Sequence, residues 1–128
     1  MGFGISAYDY LQALRLRAKL TRAFLRQAFA EVDVLLTPVI PELPPALAEL
    51  KALTVDEFNA RAARFSRLTR PFNGFGLPAL SVPCGLGKTG LPLGFQTVGP
   101  PFDEALLLRL GHAYQEAAGW HRRRPEEG

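Results

Sequence analysis

Ser81 and Lys88, seven positions apart, are of the types that cleave acyl bonds in some hydrolases. In that chemistry a lysine amine takes the proton of a serine, whose oxygen then attacks a carbonyl. Their settings predict otherwise. Ser81 sits in "ALSV", an apolar run that reads as a buried strand, and a strand interior is a poor place for an exposed nucleophile. Lys88 sits in the glycine-rich "GLGKTG", which reads as a hairpin tip where a lysine is solvated. Strand and turn separate the two, so the pair is read as structural. Cys84 follows a proline and precedes a glycine at the end of the same run. It reads as a small buried hydrophobe, since a reactive thiol needs a neighbouring base or cation. His112 and His121 lie nine positions apart with no cysteine or carboxylate cluster to complete a metal site. His112 reads as a surface or half-buried side chain on a helix, and His121 as part of an exposed tail. "CGLGKTG" has neither spacing of a phosphate-binding loop. No catalytic residue, metal ligand or cofactor site is therefore expected in these residues by themselves.

The elements that would position any chemistry come from 128 residues, one domain's worth, taken as a single unit 1–128. Apolar residues make up 48% and charged residues 21%, close to ordinary globular values, so disorder is not indicated. Fifteen basic against twelve acidic residues give a net charge of +3, and twelve of the bases are arginines. That balance allows weak attraction to anions without indicating a nucleic-acid binder. One cysteine excludes an internal disulfide and suits a reducing cytoplasm, which is the expected location. No apolar run approaches the roughly 18 residues of a membrane span. The start "MGFGIS" fits the short pattern for N-terminal myristoylation but not a secretory signal.

Ser6 and Asp9 form a capping-box pattern, with aspartate in place of glutamate. Leu11, Leu14, Ala18, Leu25, Ala28 and Val32 then recur in steps of three and four, predicting a long amphipathic helix packed on a core and ending near Glu31. Arg15, Lys19, Arg22 and Arg26 run beside that face as a basic stripe. "VDVLL" reads as a short strand, and Pro38, Pro41, Pro44 and Pro45 then impose an extended connection. Thr54 and Glu57 open a shorter helix, "VDEFNARAARFSRL". "ALSVP" and "LGFQTV" flank a glycine-rich hairpin connection. Asp103 is placed to cap a last helix that buries Leu106, Leu107, Leu110, Ala113, Tyr114 and Ala117 and stops at Gly119. Gly111 inside that helix predicts a close approach to a neighbour. Two or three strands make too little sheet to bury both faces, so the segment reads as part of something larger.

Four stretches, "ISAYDYLQALRLRAKLTRAF", "DVLLTPVIPELPP", "TRPFNGFGLPALSVPCG" and "GLPLGFQTVGPPFDEALLLRLGHAYQEAAGWHRRRP", occur in this order and spacing. In this they resemble the carboxy-terminal region of amidase signature enzymes, a family that includes bacterial amidases and the A subunit of the aminoacyl-tRNA amidotransferase. The resemblance covers Ile5 to Pro125. It implies part of an α/β/α layered fold around a large mixed sheet, here a long N-terminal helix, two or three strands including a hairpin, and a C-terminal helix. It also implies amide hydrolysis by a Ser–Ser–Lys triad, in which lysine acts through a bridging serine on the nucleophile and an acyl-enzyme forms. The family's lysine and its glycine- and serine-rich segment lie upstream of the matched region, and the expectation is that this chain lacks the triad.

Within the resemblance, "PFNGFGLPALSVPCG" would lead a short helical turn into a strand beside the substrate pocket. Asn73 and Phe75 are then the residues expected to approach substrate, with a loop-ordering amide and a core ring as their alternative roles. Gln96 is a third pocket candidate, its alternative being to satisfy backbone groups. The partners implied are a separate amino-terminal amidase half and, in the complete enzyme, a small amide; a homo-oligomer is a further arrangement, and no membrane is expected. The competing readings are a non-catalytic oligomerisation or partner-binding module, and an RNA binder using the basic stripe and the "HRRR" tail.

Overall fold

The computed structural model describes residues 4–124; Met1–Phe3, which open the myristoylation pattern, and Pro125–Gly128 lie outside that description. Helix α1 spans Ala7–Ala28, and strand β1 spans Leu35–Pro38. Helices α2, Leu47–Lys51, and α3, Val55–Phe65, follow, with a 3-10 turn over Ser66–Leu68 leading into α4, Arg70–Phe75. Strands β2, Ala79–Leu86, and β3, Pro92–Val98, form a hairpin, and α5 spans Glu104–Ala118 before a last 3-10 turn over Trp120–Arg122.

The sheet is three-stranded and wholly antiparallel, in the order β1-β3-β2. β3 is central and β1 and β2 are both edges, which is why Pro38 and Pro83 are tolerated within them. A register shift between Pro83 and Gly85 bends β2. Cross-strand partners share a face, so Leu80 and Val82 on β2 stand beside Thr97 and Phe95 on β3 under α5. There Phe95 meets Tyr114 edge to face at 4.9 Å between ring centroids. Val82, Val98 and Leu107 are the fully buried apolar side chains, joined by Leu77 and the polar Thr97. The opposite face carries Ser81, Gln96 and Thr37 in register.

Several elements depart from the pattern. β1 begins at Leu35 rather than Val32, and α2, a five-residue helix with no side-chain cap, is not signalled by any periodicity. α1 ends at Ala28 and buries no residue. Its Leu11, Leu14 and Ala18 are exposed, because α4 covers only the half that begins near Thr21. The expectation of a helix packed along its length on a core is therefore not met by the described residues. In α5 the buried positions are Leu107 and Gly111, with Leu106 and Tyr114 half-buried; Leu110, Ala113 and Ala117 are exposed. Gly119 ends α5 in the left-handed conformation as expected, while Asp103 occupies the N-cap without a side-chain bond.

The α3 start matches its pattern in full. Thr54 Oγ1 accepts the Glu57 N–H, and the Glu57 carboxylate accepts the Thr54 N–H at 2.8 Å. The bond from the Thr54 hydroxyl, and then the one from its N–H, hold the Glu57 carboxyl below the usual carboxylate range. A lowered folded-state pKa contributes stability that is present above the unfolded value and is lost as pH falls through the folded one. Thr54→Ala should cost about 1 kcal/mol near neutral pH. That deficit should shrink under acid conditions, where Glu57 no longer carries its charge. Urea unfolding of the variant and the parent chain at neutral and acid pH checks both statements. No helix among the described residues is long and apolar enough to cross a membrane.

Candidate functional site

The "PFNG" segment forms α4, and three contacts hold it. Gly76 stops the helix with φ 71°, and the Leu77 N–H returns to the Phe72 carbonyl at 3.0 Å while the Gly76 N–H returns to Asn73 at 3.2 Å. That pairing is a Schellman turn, which needs the left-handed residue that glycine supplies. Arg17 on α1 donates through Nε to the Gly74 carbonyl, placing a cation at the negative end of α4. Phe24 on α1 stacks on Phe75, with ring centroids 4.8 Å apart and planes 26° apart, and lies 6.3 Å from Phe72.

The third contact comes from the sheet. Gln96 is 4% exposed, and its Nε2 donates to Thr37 Oγ1 at 2.9 Å, to the Leu68 carbonyl at 2.9 Å and to the Pro38 carbonyl at 3.3 Å. Carbonyl oxygens only accept, so they fix which end of the amide is the nitrogen. Leu68 closes the turn before α4. One side chain on β3 therefore ties β1 and the entrance to α4 to the middle of the sheet.

The three residues singled out from sequence accordingly stand in different situations. Asn73 is exposed on α4 and its side-chain amide makes no hydrogen bond among the described residues. Phe75 is half-buried against Phe24 and lines an open groove of about 270 Å³ with Leu14, Arg17, Ala18, Thr21 and Arg22. Gln96 lies under the segment, with its donors committed inside the fold. The structure thus brings Asn73 and Phe75 together on one short helix and sets Gln96 at its base. Arg17, missed by the sequence reading because it falls outside the basic stripe, joins α1 to α4 together with Phe24.

Ser81 is exposed, contrary to the expectation for a strand interior, because β2 is an edge strand and its face away from α5 is open there. Lys88 is exposed in the hairpin turn, and no hydrogen bond joins it to Ser81 among the described residues. Cys84 is half-buried rather than buried. His112 is exposed; His121 is half-buried, its Nε2 4.0 Å from Glu116, in a turn whose Trp120 lies against Gly85. The described residues hold no group of three or more metal-ligating side chains.

Comparison with known proteins places this arrangement. The family profile described as Amidase matches residues 2–108. The protein named as amidase AmiD of Mycobacterium tuberculosis (strain ATCC 25618 / H37Rv) is 41% identical over 124 residues, which is 97% of this chain and 26% of that protein. The A subunit of the glutamyl-tRNA(Gln) amidotransferase of Cupriavidus necator is 42% identical over 120 residues, or 92% of this chain and 23% of that protein. Among solved structures, 6-aminohexanoate cyclic dimer hydrolase in complex with substrate superposes with a TM-score of 0.82 at 26% identity, over 96% of this chain and 27% of the hydrolase. The chain spans about a quarter of the length of the curated relatives it matches. With the profile covering most of its residues, the chain belongs to the amidase family.

Proposed function

We propose that this chain is the carboxy-terminal portion of an amidase-type C–N hydrolase, contributing scaffold and one wall of the substrate pocket but not the Ser–Ser–Lys triad. The observation that carries the reading is the way α4 is held. Gln96, Phe24 and Arg17 fix it from three sides, and Asn73 is left facing outward with an unengaged amide. An amide with one donor pair and one acceptor suits a substrate that presents both a carbonyl and an N–H. Fixing its helix in advance spares the ordering cost at the moment of binding. Phe75 supplies an apolar surface beside it, and Gln96 acts beneath both as a positioning residue. The exposed pair Ser81 and Lys88, with no bond between them, does not form a nucleophile and base. The nucleophilic serine, the bridging serine and the lysine are then supplied by another stretch of the domain. The substrate is a small amide, taken either by a free amidase or by an amidotransferase, and the chemistry needs no cofactor.

The test is reconstitution. A curated amidase relative from which the segment matching this chain has been deleted is mixed with residues 1–128, and hydrolysis of simple amides is followed. Turnover is expected from the mixture and from neither component alone; turnover by this chain alone would overturn the reading.

The exposed apolar face of α1 favours a second reading, a non-catalytic module that associates through that helix. Sedimentation at increasing concentration separates the two, since a chain that remains monomeric does not use the face on itself.

A further inference from the structure

The first turns of α1 carry a row of exposed apolar side chains, with Leu11 52% and Leu14 39% exposed and Ala18 next on the same face. The helix is also strongly basic: Arg15, Arg17, Lys19, Arg22 and Arg26 stand against a single acidic residue, Asp9. Arg15, Lys19, Arg22 and Arg26 make no ion pair among the described residues, whose salt bridges all lie elsewhere. The groove of about 270 Å³ between α1 and α4 opens directly onto this row, with Leu14, Ala18 and Phe75 as its apolar lining and Arg17 and Arg22 at its rim.

Charge selects among the occupants. A second copy laid along α1 would set one basic stripe near another, a repulsive arrangement in a partly desolvated contact. An acid-flanked apolar surface would instead satisfy both the row and the stripe. An amidase domain of the length of the curated relatives holds about three quarters of its residues outside these elements, enough to supply such a surface.

We infer that the α1–α4 groove is the socket for a helix from the rest of the amidase domain, one that inserts a large apolar side chain beside Phe75. A carboxylate one turn away on that helix meets Arg22. This rests on the function proposed above and names the partner of the same segment. It follows the mode in which an amphipathic helix lays its apolar face into a groove and its charges fix register. Seating that helix would also press on Phe75 and so close the back of the site that Asn73 faces.

The same deleted relative is the probe. Its association with residues 1–128 is measured at low and high salt, beside the amide turnover of the mixture. Leu14→Asp should weaken association at least roughly tenfold, the scale of a lost anchor. Lys19→Glu combined with Arg22→Glu should weaken it at low salt and abolish or reverse its salt dependence. Circular dichroism should show both variants as helical as the parent, since α1 buries none of these residues. Restored turnover with variants that bind as tightly as the parent chain would sink the socket and leave the proposed function standing. A parent chain that neither binds nor restores turnover would overturn both.

Discussion

Gln96→Leu is expected to destabilise the chain by about 2–3 kcal/mol, the scale set by leaving buried carbonyls without a donor. Leucine is close in volume, so the loss is not a cavity effect. What disappears is the pair of N–H groups that reach the Leu68 and Pro38 carbonyls and the Thr37 hydroxyl. Those acceptors belong to two separate segments, so the damage should spread: β1 should loosen from the sheet and the entrance to α4 should lose its anchor. Gln96→Glu sharpens the test. It keeps the shape but aims a carboxylate at carbonyl oxygens, which favours the protonated, donating form and raises its folded-state pKa above the unfolded value of about 4.3. A raised carboxyl pKa contributes stability that is complete below the unfolded value and lost as pH rises through the folded one. The gap between Gln96→Glu and the parent chain should therefore be widest at neutral pH and narrow in acid. Urea unfolding at two pH values measures it. A Gln96→Leu variant within about 0.5 kcal/mol of the parent, the range of an inert surface change, would mean that the amide is free for substrate after all.

How much of this is legible in the sequence depends on how local the cause is. The α3 start is readable because Thr54 and Glu57 satisfy each other within one turn. The hairpin is readable for the same reason, from two apolar runs and a glycine-rich turn. α1 is readable as a helix but not in its surroundings. Periodicity tells which face is apolar, yet nothing in Leu11, Leu14 and Ala18 says whether a partner lies against them. Gln96 shows the limit most clearly. A polar residue in a strand announces only that it needs partners, and these come from β1 and the turn before α4, 28 to 59 residues away in sequence. Asn73 and Phe75 are reached through a family resemblance, and what holds them, Arg17 and Phe24, sits on a helix more than 40 residues earlier, where no local pattern points to either role.

The seat of α5 is legible in part, since Gly111 announces a close approach without naming what approaches, and it yields the other large effect. The apolar spacing of "EALLLRLGHAYQEAA" centres the buried face on its largest residues, whereas the helix is seated on Leu107 and Gly111. Closest approach is set by the smallest side chain. A Cβ placed on Gly111 would lie 2.5 Å from Leu80 Cδ2 and 3.6 Å from Val82 Cγ2. Alanine there gains roughly 1 kcal/mol of helix propensity and asks only that the end of Leu80 turn aside. Gly111→Ala should then fall within about 1 kcal/mol of the parent chain, the two effects nearly cancelling. Valine has no such escape. Its two γ-methyl groups meet Leu80 and Val82 together, so α5 must lift from β2, at about 3 kcal/mol or more. The lift should also separate Phe95 from Tyr114, and with it the support behind the strand that carries Gln96. Leu80→Ala supplies the control. Alone it should destabilise by opening a void, and combined with Gly111→Val it should cost clearly less than the sum of the two, because each change makes room for or fills the other. Strict additivity in that double-mutant cycle, measured by thermal unfolding, would show that Gly111 and Leu80 do not meet and that α5 is seated elsewhere on the sheet.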